Sequence, residues 1–220
     1  MIYSLYREAF RIARLFLGLF VFALGVVMTL RGNLGYPPWE VFHQGVAKHL
    51  GFTIGETIIL VAVCIVATTV FMKENVGIGT LCNMISVGVF VDVIMSGNWV
   101  PLMHSFISGV TMIIGGLFVI GLGSFLYIGA GYGAGPRDSL MVVLTKRTGK
   151  PVGLCRSCLE SAVLLAGWLL GGYAGVGTVI SALGIGIVMQ IVFSVLRFDV
   201  KTIHQESCDE TFMRLKGILR

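Results

Sequence analysis

Long stretches of this chain carry no formal charge, and that feature most constrains what it can fold into. No Asp, Glu, Lys or Arg stands between Asp92 and Arg137 or between Glu160 and Arg197, and residues 15–30, 57–72 and 75–91 are uncharged as well. A fold in water hides apolar chain only as far as its polar residues can cover the surface. Here charged residues are 12% and hydrophobic residues 56% of 220, and mean hydropathy is +0.92. The expected class is an all-α, polytopic membrane protein, in which about 20 mostly apolar residues make one crossing.

The run from 93 to 136 is too long for one helix and turns at Asn98-Trp99-Val100-Pro101. The run from 161 to 196 breaks at Gly171-Gly172-Tyr173-Ala174-Gly175. Six spans are expected, near residues 13–31, 56–73, 78–97, 109–129, 155–171 and 177–196. They divide the chain into an N-terminal segment (1–14), a three-helix unit (15–97), a loop (98–108), a second three-helix unit (109–196) and a basic tail (197–220). Arg7, Arg11 and Arg14 followed by an apolar run mimic a secretory signal. The small-residue site Ala23-Leu24-Gly25 falls inside that run rather than after it, so a retained helix is expected.

Lysine and arginine favour the cytoplasmic side. With the N-terminus inside, fourteen of the sixteen fall inside and only Arg31 and Lys48 outside, so both termini are expected in the cytoplasm. The net charge of +5 is spread over the ends of apolar runs instead of forming one patch, which argues against a nucleic-acid partner. The tail at 201–220 reads as a surface helix touching anionic lipid. Five cysteines in mostly apolar context imply no disulfide framework.

The chain also repeats itself. Shifted by 98 residues it matches itself at 16 positions over residues 18–96, where this composition gives about 6 by chance. Gly18-Leu19-Phe20-Val21 falls on Gly116-Leu117-Phe118-Val119, Leu24-Gly25 on Leu122-Gly123, Gly35 and Pro38 on Gly133 and Pro136, and Gly77-Ile78-Gly79-Thr80 on Gly175-Val176-Gly177-Thr178. A unit of three spans is odd-numbered, so its second copy enters the membrane upside down. Inverted repeats of this kind build secondary transporters and some channels, with a site at the bilayer midplane.

Residues 38–50 open with proline and close before Gly51, as a short helix does. At about 18 Å this helix is too short to span, and 136–148 is its counterpart. Either both lie flat on opposite surfaces or both dip inward as re-entrant half-helices, whose N-termini attract anions. Glu40 and Asp138 fit such a dipole from within the protein, while Arg137 is disfavoured there and calls for a partner or ligand. The two Gly-x-Gly-Thr turns read either as close packing or as broken helices whose free amides face a solute.

The segments around Asn33-Leu34-Gly35-Tyr36-Pro37-Pro38-Trp39-Glu40, His43-Gln44-Gly45, Gly77-Ile78-Gly79-Thr80 with Asn83, Gly88 and Asp92, and Gly133-Ala134-Gly135-Pro136-Arg137-Asp138-Ser139-Leu140-Met141 resemble the YczE/YyaS/YitT family of bacterial membrane proteins. Arg147-Thr148-Gly149, Arg156 with Glu160, and Gly167-Trp168-Leu169-Leu170-Gly171-Gly172 share the resemblance, which covers about residues 15–194. Tyr36-Pro37 and Glu40 depart mildly from the small residues and aspartate expected there. The resemblance implies a bacterial inner-membrane protein. It brings no settled activity, and transport, export of secondary metabolites included, is the usual suggestion for the family.

The expected function is therefore secondary transport of a small organic or anionic solute, with a passive channel and a non-transporting scaffold as rivals. The solute site is placed on Pro38, Trp39, Glu40, His43, Gln44, Thr80, Asn83, Pro136, Arg137, Asp138 and Thr178. Asp92 and Glu160, ionisable within spans, are the candidates for proton coupling, with structural pairing as the alternative. Asn83 and Asp92 point to opposite sides of their helix. Cys155 and Cys158 form a lone CxxC with no second pair, and His43, His49 and His104 are scattered, so no metal and no cofactor is expected. No nucleophile–base pair or nucleotide-binding motif occurs, so an enzyme is not expected. The partners expected are a solute and membrane lipids, a homodimer being compatible with the chain.

Overall fold

The computed structural model describes residues 2–72, 76–133, 135–150, 152–199 and 203–218. Within them the ordered elements are helical: α1 (Ile2–Arg31), α2 (Pro38–Leu50), α3 (Ile54–Phe71), α4 (Ile78–Ser96), α5 (Phe106–Ile128), α6 (Pro136–Thr148), α7 (Val152–Leu169), α8 (Val176–Val195) and α9 (Cys208–Ile218). Five segments are long and apolar enough to cross a bilayer: Tyr6–Arg31, Ile54–Phe71, Ile78–Ser96, Phe106–Ile128 and Val176–Val195. The span expected near 155–171 falls on α7, whose apolar part, Ser157–Leu169, is shorter. Its first turns carry Arg156 and Glu160, which shorten the uncharged stretch. The first span begins earlier than expected, because arginines at its polar end do not interrupt a helix.

Local chemistry fixes the helix ends. Pro38 starts α2, and Gly51, at φ 71°, ends it with its N–H bonded to Ala47 O. Thr53 and Glu56 close a reciprocal capping box at the start of α3. Under the 98-residue shift α2 falls on α6 and α3 on α7 at both ends, and the start of α4 falls on that of α8. The positive-φ residues Asn33, Gly35 and Gly51 recur likewise as Gly131, Gly133 and Gly149.

α1 and α5 form the centre and run antiparallel. Gly18 packs against Gly123 and Tyr127, Gly25 against Gly116 and Ile120, and Gly32 against Gly109 and Ile113. Small residues let the two backbones touch, which is how helices associate in lipid. The core is built on this pair, from Leu19, Ala23 and Val27 of α1 and Ile113 and Leu117 of α5, with Val91 and Ile94 of α4 and Val188 and Val192 of α8 beside them. Outside the centre the short helices change sides, α2 packing on α7 and α6 on α3. Leu183, Ile187, Ile191 and Val195, four residues apart, leave one face of α8 apolar and exposed, suited to lipid.

The glycines separate packing from propensity. A Cβ on Gly25 would press on the backbone of Gly116 and Ile120, whereas one on Gly186 meets nothing within 4 Å. Gly25→Ala is expected to destabilise by about 1–3 kcal/mol through overpacking. Gly186→Ala should be neutral or stabilising by up to about 1 kcal/mol through helix propensity. Thermal denaturation of the two variants in the same detergent checks the opposite signs.

Candidate functional site

The site begins where the chain leaves α1 and α5. After α1, Leu34 O accepts the N–H of Gly177 at 2.6 Å. After α5, Tyr132 O accepts the N–H of Gly79 at 2.7 Å. The two bonds are related by the same shift of 98, and each joins a loop of one half to the helix start of the other. A Cβ at Gly77 would collide with Tyr132 and Gly133, and one at Gly175 with Leu34. The turn amides of Gly79 and Gly177 thus serve protein carbonyls. Thr80 and Thr178 are buried in the same turns, the Thr178 hydroxyl accepting from Gly175 N at 3.0 Å, and neither lines the cavity described next.

These contacts turn the N-termini of α2 and α6 toward a shared cavity of about 440 Å³. Pro38, Trp39, Glu40 and His43 of α2 line it together with Asn83 of α4, Pro136 and Arg137 of α6 and Glu160 of α7. Arg137 Nη2 lies 3.0 Å from Glu40 Oε1, and its guanidinium stacks 4.8 Å above the Trp39 ring. Glu40 is 3% exposed and sits in the first turn of α2, where the helix dipole favours an anion. Arg137 likewise lies in the first turn of α6, where the dipole opposes it, and Glu40 supplies the partner it needs. His43, one turn after Glu40, is buried, and both burial and the neighbouring Arg137 cation favour its neutral ring.

His43 Nδ1 and Ser181 Oγ, both lining the cavity, are buried without a hydrogen-bond partner. Each such group costs about 1–3 kcal/mol. Ser181 was absent from the sequence expectation although a signal existed, since it is the residue 98 positions after Asn83. The remaining wall is mainly apolar, including Val26, Leu117, Ile120, Ile185, Met189 and Phe193.

Other expected site residues stand elsewhere. The Asp92 carboxylate accepts from Thr53 Oγ1 and, at 2.9 Å, from Gly55 N, so it holds the start of α3 outside the cavity. Gln44 Oε1 accepts from Tyr173 N at 2.5 Å and ties α2 to the turn before α8. Glu160 lines the cavity and is engaged in an interaction of its own. The side chain of Asp138 lies outside the described residues, as does that of Arg156.

At one end of the bundle the C-terminal tail seals onto the loop after α5. Gln205, a cavity-lining residue, accepts from Gly133 N and donates to Ile128 O, both at 3.1 Å. The neighbouring Glu206 takes Arg11 and Arg214 at 2.9 Å each and the Thr211 hydroxyl at 3.0 Å. Glu8 binds Arg214 and, at 2.9 Å, the Tyr132 hydroxyl. Arg214 is therefore turned to protein carboxylates instead of lipid, while Phe212 and Met213 of α9 face outward.

Two predictions follow from these charges. Removing one partner of a buried pair leaves the other uncompensated. Arg137→Met should destabilise by about 3 kcal/mol at most, Arg137 being partly exposed, and adding Glu40→Gln should recover most of the loss in thermal denaturation. For the tail, burial raises the Glu206 pKa, but Arg11, Thr211 and Arg214 outweigh it and hold the carboxyl below its usual value. A group with a depressed folded pKa contributes stability above its unfolded pKa and loses it as pH falls through the folded one. A spin label at Phe212→Cys should gain mobility as the pH falls through the folded Glu206 pKa. At neutral pH Glu206→Gln should free the tail, read as several-fold faster tryptic cleavage at Arg214 and Lys216.

By sequence the chain is similar to proteins described as uncharacterized. A model of a family of unknown function, DUF6198, matches residues 9–194. The chain is 37% identical over 178 residues to the uncharacterized membrane protein YczE of Bacillus subtilis (strain 168), covering 80% of this chain and 81% of that one. It is 33% identical over 185 residues to an uncharacterized protein of Haemophilus influenzae, covering 84% of each chain. It is 23% identical over 168 residues to the uncharacterized protein YyaS of B. subtilis, covering 75% of this chain and 83% of that one. No solved structure matches.

Proposed function

The chain belongs to the family of unknown function DUF6198, as kin of YczE and YyaS, and from that premise we propose that it is a secondary transporter of a small organic solute, built as two inverted three-helix repeats in the bacterial cytoplasmic membrane. In this reading α7 is the sixth span, α2 and α6 are re-entrant half-helices, and both termini are cytoplasmic. It works without a catalytic group or a cofactor, and its partners are the solute and the surrounding lipids.

The observation that carries the reading is the pair of exchanged hydrogen bonds, Gly79 N to Tyr132 O and Gly177 N to Leu34 O. Equivalent elements of the two halves meet reciprocally across a cavity. Their leading helices α1 and α5 run antiparallel, as inversion requires. The contact of Arg11 and Glu8 with Glu206 and Arg214 supports placing both termini on one side. The mixed lining of the cavity, apolar with a few convergent polar groups, is typical of a small-molecule site.

Single cysteines test the reading in a background freed of the five native ones. With a membrane-impermeant thiol reagent, Lys48→Cys should label from outside only and Lys146→Cys from inside only, while Asn83→Cys in the cavity should label from both faces. Labelling of Lys48→Cys and Lys146→Cys from the same face would end the inverted-repeat reading. Labelling of Asn83→Cys from neither face would favour a scaffold, and conductance steps in a planar bilayer would favour a passive channel.

A further inference from the structure

Among the described residues, the Glu40–Arg137 pair on the cavity wall is mutually occupied, while two buried hydrogen-bonding groups are unused. His43 Nδ1 and Ser181 Oγ, on side chains 1% exposed, both lack partners and both line it. A serine hydroxyl donates or accepts, and a neutral imidazole nitrogen does one or the other according to tautomer. Arg137, in contrast, is held by Glu40 and stacked on Trp39, and Glu160 is engaged too. A charged ligand would have to break the Glu40–Arg137 pair or lie buried beside it uncompensated. Against the rest of the wall, with Leu117, Ile120, Ile185 and Met189, only an apolar body packs well.

We infer that the solute is an uncharged amphipathic organic molecule, whose hydroxyl or amide group completes the hydrogen bonding of His43 and Ser181 and whose apolar body lies against α5 and α8. The inference rests on the transport reading for its biological sense, but its binding test is separate. On this inference the solute is the organic one of the two classes the sequence suggests, and carries no charge.

The test uses the full chain in lipid nanodiscs with Trp99→Phe and Trp168→Phe, which leaves Trp39 in the cavity as the remaining tryptophan of three. Three probes share one body and differ in the head: hydrocinnamamide, hydrocinnamate and phenylpropylamine. The amide is expected to change Trp39 emission saturably at pH 7, and to bind about tenfold more tightly than either ion. Ser181→Ala, which keeps the side-chain volume, should weaken amide binding about three- to tenfold, and His43→Phe should do the same.

Tighter binding of either ion overturns the inference. So does amide binding that Ser181→Ala leaves unchanged, or the absence of saturable binding by the amide. If the amide fails while Asn83→Cys labels from both faces, the solute class falls and the transport reading stands. Amide binding without two-sided labelling has the reverse meaning.

Discussion

A backbone in lipid must satisfy its own polar groups, because no water is present to do so. The chain leaves regular helix after α1 and after α5, and the exchanged bonds Gly79 N–Tyr132 O and Gly177 N–Leu34 O answer that demand with the opposite half. Everything near the cavity depends on this. Gly35 and Gly133, at φ 109° and 119°, turn the chain so that α2 and α6 start beneath the partner half's turn. The close approach that follows is open only to glycine at Gly77 and Gly175.

Bringing two helix N-termini to one cavity concentrates partial positive charge there. Glu40 answers it, and by pairing with Arg137 makes a cation tolerable at the start of α6. Burial and the nearby Arg137 cation both favour a neutral His43 ring. The Glu40–Arg137 pair thus answers its own charges, while His43 Nδ1 and the Ser181 hydroxyl stay unsatisfied. Where the tail meets the loop after α5, Glu8 of α1 and Glu206 of the tail play the corresponding part for Arg11 and Arg214, fastening the tail that carries Gln205 into the cavity wall.

Much of this was legible in the sequence because it rests on local chemistry. Proline before an apolar face and glycine after it located α2, and the shift of 98 carried those bounds to α6. Trp39, Glu40, His43, Asn83 and Arg137 stand in the short helices and the motifs of the resemblance, Glu160 is ionisable within an apolar stretch, and the six line one cavity. An ionisable residue in a span reads as a coupling group or a structural partner, and the sequence cannot say that Thr53 and Gly55 at the start of another helix use the Asp92 carboxylate. A glycine turn announces free amides without saying what will meet them, and at Gly79 and Gly177 a carbonyl from the other half does. Gln205 lies beyond the repeated region and carries no pattern of its own.

The two halves differ in an informative way. Many positions where backbones touch are identical between them, Gly18 and Gly116, Gly25 and Gly123, Gly35 and Gly133, Gly77 and Gly175, and Gly79 and Gly177, whereas Gly32 is matched by Ala130. Most positions facing the cavity are not identical. Trp39 is matched by Arg137, His43 by Met141 and Asn83 by Ser181. Geometry explains the contrast, since a Cβ added at a crossing displaces a helix, whereas a changed side chain at the cavity alters only what fits inside it. A nearly symmetric frame therefore encloses an asymmetric wall, with the cation and its aromatic platform on opposite halves and the buried imidazole on one. Any unsymmetrical molecule against such a wall would have one preferred orientation, because Trp39, His43 and Asn83 have different residues opposite them in the other half.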